Sequence, residues 1–436
     1  MLDKVTYTDQ ETVISAKNMN DIQDAILALD DGLFSVDNDK SGEVITITDA
    51  AKRGFKSFNI YGKTTQDGTP TPDAPVDLVS VGEVGSISVT VAEKNLWNGK
   101  FENIAFGSSE ETGSIVTILS YPTYKSIVVP VIPGGKYSFS RGKAIWSGLY
   151  IAFTQDYPTI HTTLIFEDGK TTTYLSPYNK DTALEIPGIT VPDNCYYMVV
   201  YLTNDSDTYE VTNTWYQVEA GGTVTGYEAD NGQTLTISTP NGLPGIPVTS
   251  GGNYTDSNGQ QWVCDEIDLA RGVYVQRLTT EVSDGSTDEG WDYNASMVVF
   301  RRKFTNMKSA YYQSSLCDKY LHGTTTSGLV SGQYWGRNSY FGDRVIAFKN
   351  SNFTDKASWV AHLAENPITV LYELETPIET PLSEEELAAY RSLHTYKDNT
   401  TVSNNAIAWM ELEYAMDAKK YIDSKISGAI LAATVE

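Results

Sequence analysis

The side chains that most often carry chemistry are few and scattered in this sequence. Its four histidines are His161, His322, His362 and His394. None stands in an H-x-x-x-H or H-E-x-x-H spacing, which would put two imidazoles on one metal. No G-x-S-x-G turn offers a serine nucleophile, and no GxxxxGK[ST] loop offers a phosphate cradle. The cysteines Cys195, Cys264 and Cys317 lie far apart without a C-x-x-C pair, so neither a zinc site nor a disulfide framework is indicated. Cys195 and Cys264 fall in apolar runs and read as small core residues. Carboxylates are abundant, at 56 Asp and Glu. A glycosidase needs only two of them, so their number alone decides nothing about hydrolysis.

Aromatic residues are the more informative chemistry. Sugar rings present C–H faces that stack on Trp and Tyr, while Asp and Asn bond the hydroxyls. Trp146, Tyr150, Asp156 and Tyr157 cluster around one expected strand and its loop, and are the candidate ligand-binding residues. Trp215 and Tyr216 lie near the end of the same unit. The competing reading makes Trp146 and Trp215 ordinary core residues. A second aromatic group, Trp291, Tyr334 and Trp335, lies further on. No metal-ligand set is expected. The run from Asp256 to Gly259 resembles the start of a calcium loop, but the twelfth position holds Ile267 instead of Glu, so a hairpin turn is the better reading.

The elements that must position these residues are mostly strands. Residues 241–277 begin with turn formers, Gly242, Pro244, Gly245 and Pro247. Apolar positions then alternate at period two around a polar tip, which reads as a hairpin and a further strand. Alternating patterns also predict strands over 44–47, 55–61 and 86–91, then 126–132, 136–140, 149–153, 196–202 and 214–219. The pattern left at Val91 resumes at 233–238, so 94–230 reads as a β-sandwich inserted into a smaller β-domain. Beyond it, strands are expected at 297–304, 310–317, 344–349 and 368–374. A helix is expected over 353–365, and a capping box at Ser383 starts another over 384–393. The Thr/Pro-rich stretch 68–75 reads as an extended connector or, alternatively, a ligand for another domain. At the N terminus, Met19, Ile22, Ile26 and Leu29 share one face of a helix after Ser15. At the other end, 409–434 reads as a second amphipathic helix, with Ile422 and Ile426 on its apolar stripe. Helices this short bury that stripe against their own domain or against copies of themselves. The oligomer is the favoured reading.

The expected fold is therefore mainly β: multi-domain β-sandwich or jelly-roll modules with short amphipathic helices at both termini. The expected divisions are 1–42, 43–93 with 231–264, the insert 94–230, 265–382, and the helical 383–436. Composition agrees. The 436 residues hold room for several cores, and 28 Tyr against 13 Phe suits strands with wet outer faces. A formal charge of −25 opposes binding to nucleic acid or anionic lipid, and is compatible with a divalent cation or a basic surface. No cofactor is indicated. The N-terminal stretch lacks a signal-peptide pattern and no run approaches 18 apolar residues, so cytoplasmic synthesis without membrane insertion is expected.

Four stretches also carry a resemblance. They are GKTTQDGTPTPDAPV (62–76), the GLPGIPV to GVYVQR run within 241–277, AENPITVLYELETPIETPLSEEELAAY (364–390) and YAMDAKKYIDSKI (414–426). In this order they resemble tail- and baseplate-associated minor structural proteins of phages and prophages of Gram-positive gut bacteria. The insert is similar to the carbohydrate-binding-like jelly rolls of phage tail proteins, through its Asn95-Leu96 opening, VIPGGKYSFS and the closing QVEAG and TGYEA. The resemblance implies a virion tail protein of fibre or receptor-binding type, not an enzyme. It also implies a homotrimer, contacts with other tail proteins, and a host-surface glycan or protein as receptor. It identifies no catalytic residue. A purely structural baseplate subunit and a cell-wall polysaccharide hydrolase are the rival readings. The long repetitive β-helix typical of tail-borne depolymerases has no counterpart among internal repeats here.

Overall fold

The computed structural model describes residues 37–83, 85–97, 99–108, 115–119, 125–142, 148–159, 162–166, 183–203, 214–227, 229, 232–286, 289–308, 315–323, 328–338, 342–396 and 398–417. The residues of the expected terminal helix faces, Met19, Ile22, Ile26 and Leu29 with Ile422 and Ile426, lie outside the described residues.

The fold is mainly β and built of several sheets. Two of them make a framework. One has four strands in the order Gln233–Thr239, Gly85–Ala92, Asp398–Asn404, Val44–Ala50. The other has seven, in the order Asp37–Gly42, Trp409–Ala415, Ser57–Tyr61, Glu266–Asp268, Val273–Ser283, Ile368–Pro381, Ser315–Cys317. Period-two alternation sends Ile87, Val89, Val91, Leu235 and Ile237 from the first sheet against Phe58, Ile60, Met410 and Leu412 from the second, all fully buried. Each such side chain stabilises by about 1.5–3 kcal/mol, and a one-residue slip would turn the whole row to solvent. Register is thereby fixed.

The seven-stranded sheet runs across the divisions expected at 264/265 and 382/383, since strands from 57 to 415 share it. It also corrects the reading of 409–434 as a helix from its first residue. Trp409–Ala415 is a strand, with Met410, Leu412 and Tyr414 buried on one face and Glu411 and Glu413 on the other. Leu412 and Ala415 are three apart, which imitates helical spacing. The alternating Met-Glu-Leu-Glu-Tyr pattern carries the true period.

Gln233 pairs with Val91, and the ladder continues to Thr239 opposite Gly85. The chain therefore leaves the framework and returns to it on adjacent strands, about 5 Å apart. Between these points, two three-stranded sheets face each other. One is Leu184–Thr190, Lys136–Arg141, Tyr216–Ala220; the other is Gly148–Thr154, Tyr197–Thr203, Lys125–Pro130. Their inner faces supply Tyr137, Phe139, Ile151, Phe153, Met198, Val200 and Tyr216 to one core. The Tyr197 hydroxyl donates to the Asn405 carbonyl at 2.9 Å and ties this sandwich back to the framework.

A third core lies around the five-stranded sheet of Asp292–Asn294, Val299–Lys303, Gly342–Lys349, Gln333–Asn338 and Leu321–His322. Helix Lys356–Glu365 presses Trp359 onto Phe300, with ring centroids 4.6 Å apart. The Thr/Pro-rich stretch runs beside this unit. Val76 N donates to the Asp318 carbonyl at 2.8 Å, and Gln66 Nε2 to the Cys317 carbonyl at 2.9 Å. Helix Glu384–Ser392 opens with the full capping box at Ser383 and Glu386. Glu386 also accepts from Ser238 N at 2.8 Å, so the helix covers the free edge of the four-stranded sheet.

Candidate functional site

Residues 241–277 fold as a structural junction. Asp256 Oδ1 accepts from the N–H groups of Asn258 and Gln260, and Oδ2 from Trp262 Nε1 at 3.0 Å. The calcium-like tip is thus a side-chain-capped turn. Tyr254 stacks between Tyr61 and Trp409, at 4.8 and 4.9 Å. Gly62 and Gly245 pass back to back: a Cβ on Gly245 would fall 2.2 Å from the Gly62 carbonyl oxygen. Asp265 is 1% exposed and accepts from Tyr274 Oη and from the N–H groups of Arg277 and Leu278. Burial pushes its carboxyl up to about 7 against the pull of those donors. A perturbed carboxyl marks functional sites, but this one is occupied on both oxygens and sealed from solvent.

A second buried ionic group sits in the third unit. Arg302, 7% exposed, donates to Glu281 and Ser283 and lies 3.7 Å from Glu289. Glu289 also accepts from Asp284 N, Gly285 N and Trp291 Nε1, and Glu281 from the Tyr372 hydroxyl. These carboxylates clamp strand Val273–Ser283 to the adjoining sheet. Cys195, Cys264 and Cys317 are buried and unbridged, and burial raises each thiol, Cys195 to about 11. Among the described residues no group of three His, Cys, Asp or Glu is placed to hold a metal. Nor is any described helix long and apolar enough to cross a membrane.

The candidate sugar-binding residues are spread out. Trp146 lies outside the described residues. Tyr150 faces outward on strand Gly148–Thr154 and stacks on Tyr201, centroids 5.9 Å apart. Asp156 and Tyr157 lie past the far end of that strand. Four residue steps along the strand lead from Tyr150 to Thr154, roughly 13 Å. Tyr157 is 40% exposed, donates to Glu102 Oε1 at 3.1 Å, and sets its ring edge-on to Tyr197. Tyr150 and Tyr157 thus belong to opposite ends of one sheet face and meet different partners.

The opposite sheet of the sandwich brings more together. Tyr216 is fully buried, and Trp97 and Phe101 meet it edge-on. Trp215, one position earlier, faces outward and stacks on Tyr227 at 4.4 Å and 26°. Tyr227 is 42% exposed. Along the same outward face run Gln217 and Glu219, paired across the ladder with Ser140 and Ser138. All four are buried, at 0%, 4%, 1% and 0%. Gln217 Nε2 donates to Glu219 Oε1 at 3.1 Å. The Ser140 hydroxyl has no hydrogen-bond partner among the described residues. Alternation through Trp-Tyr-Gln-Val-Glu was the signal that could have separated Trp215 from Tyr216. The burial of this polar row had no signal in the sequence.

No protein-family model matches the chain, and no solved structure matches it.

Proposed function

We propose that this chain is a structural protein of a phage tail tip or baseplate, of fibre or receptor-binding type, and not an enzyme. In this reading its inserted sandwich meets glycan on the host surface. The framework draws strands from Asp37 to Ala415, its first described strand pairing with its last, so it serves as the carrier. The sandwich is looped out of it on adjacent strands and carries the partly open aromatic pair. That placement is the observation that supports the reading. Carriers with recognition surfaces on inserted units keep the core unchanged while the surface varies. The family resemblance supplies the biological setting, including a homotrimer and attachment to other tail proteins.

The test is binding of the purified full chain to intact cells and isolated walls of Gram-positive gut bacteria. Saturable binding to at least one strain supports the receptor reading. Absence of binding across a broad strain set favours a baseplate subunit that only bridges other tail proteins. Release of reducing sugar from the same walls would instead favour the hydrolase.

A further inference from the structure

Residues 221–227 form a strap that folds back over the outward face of the strand they leave. Ser138 Oγ donates to the Gly221 carbonyl at 2.8 Å. Thr225 gives its N–H to Glu219 Oε1 at 2.8 Å and its hydroxyl to Oε2 at 2.7 Å. Lys94 Nζ donates to the Gly226 carbonyl, and Tyr227 lies on the indole of Trp215. Apart from Val224 the strap is exposed, while Ser138, Ser140, Gln217 and Glu219 beside it are buried. Three of its seven residues are glycine, at 221, 222 and 226, which leaves its backbone easy to rearrange.

Two features of this arrangement point to a ligand. Buried hydroxyls are nearly always hydrogen-bonded, yet Ser140 Oγ, 1% exposed, has no partner among the described residues. The strap also offers the groups that a sugar would bring: a ring stacked on Trp215 and a hydroxyl on a carboxylate. We propose that the row Ser140, Gln217, Glu219 and Trp215 is a binding site for a neutral sugar, closed in this structure by its own strap. The proposal rests on the receptor reading above and places its recognition site. On binding, the sugar ring replaces Tyr227 on the indole, and its hydroxyls replace Thr225 on Glu219 and reach Ser140. An anionic ligand is disfavoured by Glu219 and by the formal charge of −25. Because the strap competes, apparent affinity is reduced by the fraction of time it is closed.

The experiment measures binding of the full chain to immobilised neutral oligosaccharides of glucose, galactose, mannose and N-acetylglucosamine. It compares the unmodified chain with Tyr227→Ala, Trp215→Ala and Ser140→Ala. Tyr227→Ala removes the competing stack and should tighten binding by about two- to tenfold. Trp215→Ala should weaken it by about the same factor. Ser140→Ala is the sharpest variant, because it removes an unbonded buried hydroxyl. It should leave the melting temperature unchanged or higher while lowering affinity severalfold, which a purely structural serine would not do. Failure of the Tyr227→Ala chain to bind any of the four sugar classes overturns the proposal. So does sugar binding that Trp215→Ala and Ser140→Ala leave intact. If the same two variants bind bacterial cells as well as the unmodified chain does, this site is wrong while the receptor reading stands. Loss of cell binding in Ser140→Ala with the fold intact supports both.

Discussion

Asp265 offers a test of how the framework is held together. Strand Val273–Ser283 pairs with Ile368–Pro381, but the register shifts between Gln276 and Leu278. The Asp265 carboxylate meets the backbone at that irregularity: Oδ1 accepts from Arg277 N at 2.7 Å and Leu278 N at 2.8 Å, and Oδ2 from Tyr274 Oη at 2.6 Å. Asp265→Ala leaves these three donors facing a small cavity. A buried donor without a partner costs about 1–3 kcal/mol. Allowing for partial relaxation, the loss should be about 3–5 kcal/mol. Asp265→Asn keeps the oxygen that serves both N–H groups. Its amide can donate to Tyr274 Oη once that hydroxyl turns, so the cost at low pH should be about 1 kcal/mol or less.

The two variants also differ in pH dependence. Burial is the largest influence on the Asp265 carboxyl and raises it from 3.8 to about 7. A carboxyl raised in the folded state binds more protons folded than unfolded between those two values. Its contribution is therefore fully present below about pH 4, falls as the pH climbs, and is level above about pH 7. The total is about 4 kcal/mol at most. Urea unfolding followed by fluorescence, from pH 4.5 to 8, should show the unmodified chain losing stability relative to Asp265→Asn as the pH rises. Parallel curves for the two proteins would refute the buried, proton-binding carboxyl. An Asp265→Ala cost under about 1 kcal/mol would refute its role at the strand irregularity.

Three further outcomes follow from the framework. Glu386→Ala removes the capping box at Ser383 and the acceptor for Ser238 N, and should cost about 1–2 kcal/mol by thermal or urea unfolding. Burial alone would raise the Glu386 carboxyl, but the hydrogen bonds from Ser238 and Ser383 together hold it below its ordinary value, so this contribution should fade as the pH falls below about 4.5. Gly245→Ala should destabilise by about 2 kcal/mol or more, since the added carbon meets the backbone of Gly62. Replacing 94–230 with a short Gly/Ser linker should leave one cooperative unfolding transition for the remainder, because Val91 and Gln233 are ladder partners. A broad, non-cooperative transition would show that the sandwich completes the framework core.

Much of the fold was legible because strands with one dry face announce themselves at period two. Residues 86–91 and 233–238 could be matched to each other across more than a hundred intervening residues, and they pair in the structure. The capping box at Ser383 was legible for a different reason: a Ser and a Glu three apart satisfy each other locally, without help from the rest of the chain. Trp409–Ala415 was misread because its apolar positions fit two periods over so short a span. Length could not arbitrate either, since the expected helix continued to residue 434. What decides the strand is its partner, Ser57–Tyr61, some 350 residues earlier. The same kind of non-local pairing joins strands from both sides of residues 264 and 382 into one sheet.

The candidate site was harder to see, for a reason rooted in the same periodicity. Alternation identifies two faces of a strand without saying what covers each one. Trp215 and Tyr216 are neighbours of similar character, and only the opposing sheet determines that Tyr216 enters the core while Trp215 faces out. Gln217 and Glu219 read in sequence as the wet side of an ordinary strand. Both are buried, and at Glu219 the chain turns back at Gly221 and fastens Thr225 onto the carboxylate. A carboxylate and an amide held nearly out of water cost the fold stability unless they are fully bonded. Thr225 supplies that bonding to Glu219, while Ser140, two residues along the same face from Ser138, is left without it. A row that served structure alone would be more stable with an apolar residue at Ser140. In the proposed site the Ser140 hydroxyl lies along the same face as the stacked Trp215 and Tyr227, and affinity for a ligand there would offset the cost to the fold.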